Sequence, residues 1–297
     1  MNTPLWTIGG GIKHFFNLRD FFIDKKRYYD TTHKFFDSVY DSIFGLRWNG
    51  GRICDPRDTV PLTTLFREIE EYNELNIGFN WSFTNLLITE EDLKNEYCNI
   101  VLEATQNSRN GVILTSPLLR DYIKKEYPKF KIIFSVCNGL KTIDEYKRAL
   151  DENDLVVLHP DFNHDYKFLN SLPEKNRIEV MANDICSYGC PYRKAHYLTL
   201  SELAKIQSVN PILHEEEDLD RSRNKSCIAV QNGYEKDMRN VLSFEDLDNL
   251  LSMGFKHFKI IGREHEWDNY YHEHLDKNIH QYWLRCMVKE TNQHHHI

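Results

Sequence analysis

Glycine and proline are scarce in this chain of 297 residues, with 13 and 9 copies. That scarcity excludes a collagen-like or low-complexity polymer. With 41% hydrophobic and 28% charged residues, the chain is not a disordered one either. No window approaches 18 uncharged apolar residues, so no membrane-spanning helix is expected. Positive charge is also in short supply, with 37 Lys and Arg against 45 Asp and Glu and a net charge of −8. A diffuse electrostatic grip on nucleic acid is therefore not expected, and an anion would have to be held by a few local cations. Residues 1–16 lack the basic stretch and apolar core of an export signal, so the expected location is cytoplasmic.

The common catalytic signatures are missing as well. There is no G-x-S-x-G elbow for a serine nucleophile and no Walker lysine. His265-Glu266 runs into Trp267, Asp268 and Asn269, so it is not a zinc-binding His-Glu-x-x-His helix. Gly9-Gly10-Gly11 is not the G-x-G-x-x-G turn of a dinucleotide fold. Cys186-x3-Cys190-x2 leads to Arg193 where a radical-SAM enzyme needs a third cysteine.

What is present is a rhythm. Short apolar runs at 43–48, 77–81, 112–114, 131–136, 155–158, 178–182 and 257–261 read as strands. Helical stretches at 62–73, 90–108, 118–126, 143–150, 166–171 and 244–253 fall between them. Pro117 suits a first helical turn, and Thr142 and Ser243 suit N-caps. Strands of this length alternating with helices indicate parallel βαβ units. One earlier strand, near 5–8 or 14–16, would make eight and close a (β/α)8 barrel. The domain reading is one structural domain: an aromatic extension at 1–42 packed on the barrel, the barrel at 43–265, and a closing helix and tail at 266–297. Within the extension, Phe35, Phe36, Val39 and Tyr40 fit one helical face. The acidic run 214–218 reads as a solvated loop, and His294, His295 and His296 lack a rigid scaffold for a metal.

In such a barrel, chemistry belongs to the loops after the strands. Cys54, Cys186 and Cys190 fall in such loops, and Cys227 could reach the same face. Four thiolates from three loops can hold zinc or an iron–sulfur cluster, and four ordinary thiols are the alternative. Cys98, Cys137 and Cys286 read as small buried hydrophobes.

Residues 111–119 (GVILTSPLL), 131–140 (KIIFSVCNGL), 155–159 (LVVLH), 178–197 (IEVMANDICSYGCPYRKAHY) and 254–263 (GFKHFKIIGR) follow in an order that resembles the collagenase-like peptidases of unknown catalytic type. They are closer still to that family's short members, the oxygen-independent hydroxylase subunits of anaerobic ubiquinone biosynthesis. The Lys-Ile-x-Gly-Arg segment at 259–263 is the most specific piece. The resemblance implies a (β/α)8-type barrel. It implies a [4Fe-4S] cluster on Cys54, Cys186, Cys190 and Cys227, with zinc as the runner-up. It also implies hydroxylation of a small aromatic substrate or an RNA base, with a peptidase-like hydrolase or a cluster-carrying partner of a paralogous barrel as alternatives.

Other candidates stand at strand ends. His159, in His159-Pro160-Asp161, could serve as a general base or be a structural histidine. Glu179 alternates with Ile178 and Val180 and could point into the barrel, with Arg263 or Lys259 as its partner. His196 could donate to a cluster sulfur or act in acid–base chemistry. Arg52, Arg193 and Arg263 are the candidate cations for a small substrate bearing a carboxylate or phosphate.

Overall fold

The computed structural model describes residues 3–29, 35–51, 54, 59–184, 186–209, 237–261 and 267–282. Strands β1 (Leu5–Gly9), β2 (Phe36–Asp41), β3 (Gly78–Phe83), β4 (Gly111–Leu114), β5 (Lys131–Phe134), β6 (Leu155–Val157), β7 (Ile178–Met181) and β8 (His257–Ile260) pair in parallel in chain order. β1 pairs with β8, so the barrel closes. Helices α1 (Phe15–Tyr29), α2 (Leu62–Glu74), α3 (Glu96–Thr105), α4 (Pro117–Glu126), α5 (Ile143–Glu152) and α6 (Tyr166–Ser171) each follow the strand of the same number. Between β7 and β8 lie α7 (Arg193–Gln207) and α8 (Phe244–Ser252), and β8 is followed by α9 (Trp267–Tyr270), which continues as a wider helical turn, Tyr271–His280. This is the expected (β/α)8 barrel.

Local chemistry sets the helix starts. Ser116 accepts from the Leu119 amide ahead of Pro117 at the first turn. Thr142 with Glu145, and Ser243 with Asp246, form reciprocal capping boxes. Each such cap contributes about 1 kcal/mol by pairing amides that the helix leaves open.

Two expectations for the N-terminal third are corrected. Residues 1–42 are not an extension, because β1 and β2 are barrel staves and α1 is the first outer helix. The second strand is Phe36–Asp41, not residues 43–48. The register slips between Trp6 paired with Phe36 and Thr7 paired with Ser38. That bulge offsets the alternation of side chains, so Phe36 and Val39 both join the outer core and the spacing imitates a helical face. Ile43, Leu46 and Trp48 are apolar because they seal a loop, and the Trp48 indole donates to the Asp92 carbonyl at 2.7 Å. The helix expected at 90–108 is shorter, with Asp92–Lys94 as a separate 3-10 turn. The last described residues form the expected closing helix, which follows β8. Tyr271 lies against Phe21 of α1 and Tyr282 against Phe244 of α8. His294, His295 and His296 lie outside the described residues.

The barrel interior is layered. Thr7, Ser38 and Asn80 form a hydrogen-bonded ladder. Beside it, Lys259 on β8 pairs with Glu179 on β7. Toward the carboxyl ends, Tyr40, Ile113, Ile133, Val157, Met181 and Ile261 pack as an apolar layer.

Above that layer runs α7. Its first residue, Arg193, lies over the β6 and β7 loops. Farther along, the Ser201 carbonyl accepts from Asn85 after β3 at 3.0 Å, and Lys205 Nζ lies 2.6 Å from Asp92. β3 and β7 are opposite staves of an eight-strand ring. The helix therefore crosses the mouth of the barrel instead of joining the outer ring, a role that α8 fills.

Candidate functional site

Because α7 covers the centre, the open space at the mouth is displaced to the side of β6. The loop after β6 carries His159-Pro160-Asp161-Phe162-Asn163-His164-Asp165. Asn163 pins it, its side-chain amide donating to Met181 O at 2.9 Å and Asn240 O at 2.7 Å. The strap 237–242 closes the far wall. Tyr188 N donates to Asp237 O, and Leu242 N to Ala182 O, each at 2.9 Å. Together these segments enclose a cleft of about 840 Å³. Its lining is aromatic and cationic at once: His159, Phe162, His164, Tyr166 and Tyr188 with Lys141 and Arg239. Such a cavity, apolar with a few converging polar groups at the carboxyl ends of barrel strands, is where this architecture binds ligands.

Each polar group has a defined setting. The Asp161 amide donates to His159 Nδ1 at 3.3 Å, so Nδ1 is the acceptor and the imidazole proton belongs on Nε2. Burial lowers the His159 pKa to about 4, with Arg193 and Lys141 reinforcing it against the opposing Asp161. At neutral pH this ring is an uncharged hydrogen-bond donor. His164 presents Nδ1 to Asp246 Oδ1 at 3.4 Å. Tyr166 OH donates to the same Asp246 oxygen at 2.9 Å. Although partial burial opposes it, hydrogen bonds from Ser243 and Tyr166 hold the Asp246 carboxyl below the usual range. The two acids in the wall are committed: Asp165 caps α6, and Asp161 accepts from Arg193 at 3.2 Å. The Arg239 guanidinium stacks over Tyr188 at 4.3 Å and pairs with Asp237 at 2.6 Å.

The residues singled out from the sequence separate into three groups. His159 faces the cleft. Arg193 does not: it is 7% exposed and forks onto Asp184 at 3.1 Å and Asp161 at 3.2 Å. Its expected role as a substrate cation is corrected, because both ends of the fork are already used beneath the cleft. Glu179 points into the barrel with Lys259 as its partner at 3.4 Å, as expected, but it is sealed below the apolar layer, so its candidacy as a catalytic residue is corrected. His196 sits half-buried on α7 and stacks beside Tyr197, away from the cleft, and burial lowers its pKa. Arg52 and Arg263 lie outside the described residues.

Cysteine placement differs from expectation in one respect. Cys98 is buried as foreseen, and burial pushes its thiol up to about 12. Cys137 is only half-buried and sits on the mouth. A Cβ on Gly51 would meet its sulfur at 3.1 Å. Burial raises the Tyr197 phenol well above its ordinary value, and Cys137, Cys186 and Asp184 add to it, which puts the phenol among these groups. Cys54 accepts from the Asn49 amide at 3.6 Å. Cys54, Cys186 and Cys190 are all half-buried on loops of this face. Even so, the described residues contain no group of three His, Cys, Asp or Glu side chains that could hold a metal ion. The fourth expected ligand, Cys227, lies outside the described residues, as does Cys286. The described thiols therefore do not by themselves fit a cluster or a zinc ion.

His164, Tyr188 and Arg239 escaped the sequence reading. A signal for His164 was available: two histidines and two aspartates in the seven residues after one strand. Asp246, Tyr188 and Arg239 join them only through tertiary structure.

No family model matches the chain, and no curated protein does. Among solved structures, the U32 peptidase Mk0906 superposes with a TM-score of 0.51 at 12% identity, covering 88% of this chain and 93% of that one. Citrate synthase SbnG aligns over 98% of this chain and 94% of its own, at 11% identity and a TM-score of 0.33. At these identities the likeness is one of fold: the chain shares its barrel with a U32 peptidase, as the resemblance to the collagenase-like peptidases implied.

Proposed function

We propose that the chain is a barrel enzyme acting on a small molecule with an anionic group and a flat, aromatic-sized body, bound in the cleft between the β6 loop and the 237–242 strap. The observation that carries this reading is the composition of that cleft. It offers aromatic walls at Phe162 and Tyr188, and the cation of Lys141 at its rim. Lys141 has no ion-pair partner among the described residues, whereas Arg193 has two and Arg239 has one. A chain of net charge −8 needs such a local cation to retain an anion. His159 supplies a fixed, uncharged donor on the same wall.

A nucleophilic hydrolase has less support, because no serine, threonine or cysteine appears among the described residues lining the cleft. A cluster-dependent hydroxylase draws on the family resemblance and on the four described thiols of the mouth, Cys54, Cys137, Cys186 and Cys190.

The test is calorimetric titration with phenylpyruvate and with benzoate. Binding is expected, weakened about tenfold in Lys141→Ala, which corresponds to roughly 1.4 kcal/mol, and weakened further in Tyr188→Ala. Absence of binding by both probes, or affinity indifferent to both substitutions, would refute the assignment.

A further inference from the structure

The cleft holds two histidines in complementary settings, and the pair has a use beyond binding. His159 engages the Asp161 amide through Nδ1, so Nε2–H is its only donor. That Nε2 has no hydrogen-bond partner among the described residues, nor does it appear with the sealed, unsatisfied polar atoms. It is therefore not sealed, and it belongs to a residue that lines the cleft. His164 is the converse. Its Nδ1 faces the Asp246 carboxylate, which is itself fixed by Tyr166 OH and by the Ser243 cap. The carboxylate lies beside the ring at ion-pair distance, where it stabilises the imidazolium formed when Nε2 accepts a proton.

From this geometry we infer that His164, positioned by Asp246, is the proton acceptor of the cleft and His159 its carbonyl-binding donor, so that the site enolises a 2-oxo acid. The inference rests on the small-anion reading above. His164 Nε2 takes a proton from the carbon beside the carbonyl. The C–H electron pair becomes the new C=C bond, and the C=O π pair moves onto oxygen, where His159 Nε2–H donates a hydrogen bond. Return of the proton from His164 to the same carbon regenerates the oxo acid. The class is therefore reversible enolisation, read as proton exchange next to the carbonyl, and it consumes no oxidant or reductant. Lys141 holds the carboxylate. An uncharged donor suits the developing enolate because its own proton is too weakly acidic to be lost to the substrate.

The experiment uses the full chain and phenylpyruvate in D2O. Binding is measured first by calorimetry, and loss of the C3 proton signal is then followed by NMR. Exchange at least tenfold faster than in buffer alone is expected. His164→Gln should bring it to the buffer rate with binding retained, since that side chain is 39% exposed and carries little of the fold. Free imidazole should restore exchange to His164→Ala. Asp246→Asn should slow exchange, whereas Ser116→Ala, which removes the cap of α4 and touches neither histidine, should not. Binding without accelerated exchange, or a His164→Gln variant as fast as the parent, overturns the inference and leaves the cleft reading in place. No binding overturns both.

Discussion

Lys259 and Glu179 meet inside the barrel at 3.4 Å, and the same ammonium lies 3.8 Å from the centre of the Tyr40 ring. Both side chains are nearly inaccessible. Removing one partner leaves an uncompensated buried charge, which costs far more than the pair itself is worth. Lys259→Met is expected to lower stability by about 3–5 kcal/mol in urea denaturation. The double change Lys259→Met with Glu179→Leu should recover most of that loss. A single variant as stable as the parent would show that the pair is not closed.

Asp92 ties the loops after β2 and β3 to α7. It pairs with Arg47 and with Lys205 Nζ at 2.6 Å, and accepts from Thr89 N at 2.8 Å. Burial opposes its charge, but Lys205, Arg47 and Thr89 outweigh that and bring its pKa to about 2. A depressed carboxylate stabilises the fold above its unfolded value, near 4, and that stabilisation is lost as pH falls through about 2. Asp92→Asn should therefore cost about 3 kcal/mol at pH 7, and the difference between the two proteins should shrink as pH drops from 4 toward 2. The cleavage rate of α7 by a protease at pH 7 is a local readout, and it should rise in the variant.

His159 gives a second pH signature, at higher pH. Its folded pKa is lowered to about 4 against about 6.5 unfolded. The unfolded chain then binds the extra proton, so this stabilisation is complete above about 6.5 and is lost as pH falls toward 4. His159→Gln should flatten the stability profile between pH 6.5 and 4. An imidazole resonance of His159 titrating near 6.5 by NMR would contradict the buried, neutral ring.

Gly50 and Gly51 let the β2 loop lie against the loop after β3. Gly51 has φ of +55°, and a Cβ there would meet Thr84 Oγ1 at 2.8 Å; on Gly50 it would meet the Thr84 carbonyl oxygen at 2.3 Å. Gly51→Ala is expected to cost about 1–2 kcal/mol from backbone conformation. Gly50→Ala should cost more, because backbone cannot step aside as a side chain can. Thermal unfolding midpoints in that order check the packing.

The sequence by itself determined the periodic features. Alternating short strands and capped helices specify parallel βαβ units, and Thr142, Ser243 and Pro117 punctuate them through bonds made within one turn. Glu179 between two apolar neighbours already points to an inward carboxylate needing a cation, Arg263 or Lys259, and the closed barrel supplies Lys259. What only tertiary structure decided involves contacts between distant segments. The bulge that turns Phe36 outward depends on β1 pairing with β2. Residues 43–48 are apolar like a strand, but loop packing on Asp92 claims them. Arg193 carries a charge whose use the sequence leaves open, and Asp161 and Asp184 take it out of reach of a ligand. His164 becomes a candidate base only because α8 brings Asp246 to its Nδ1. Periodicity records which face of an element is buried, while side-chain partners are set by where the closed barrel places each loop.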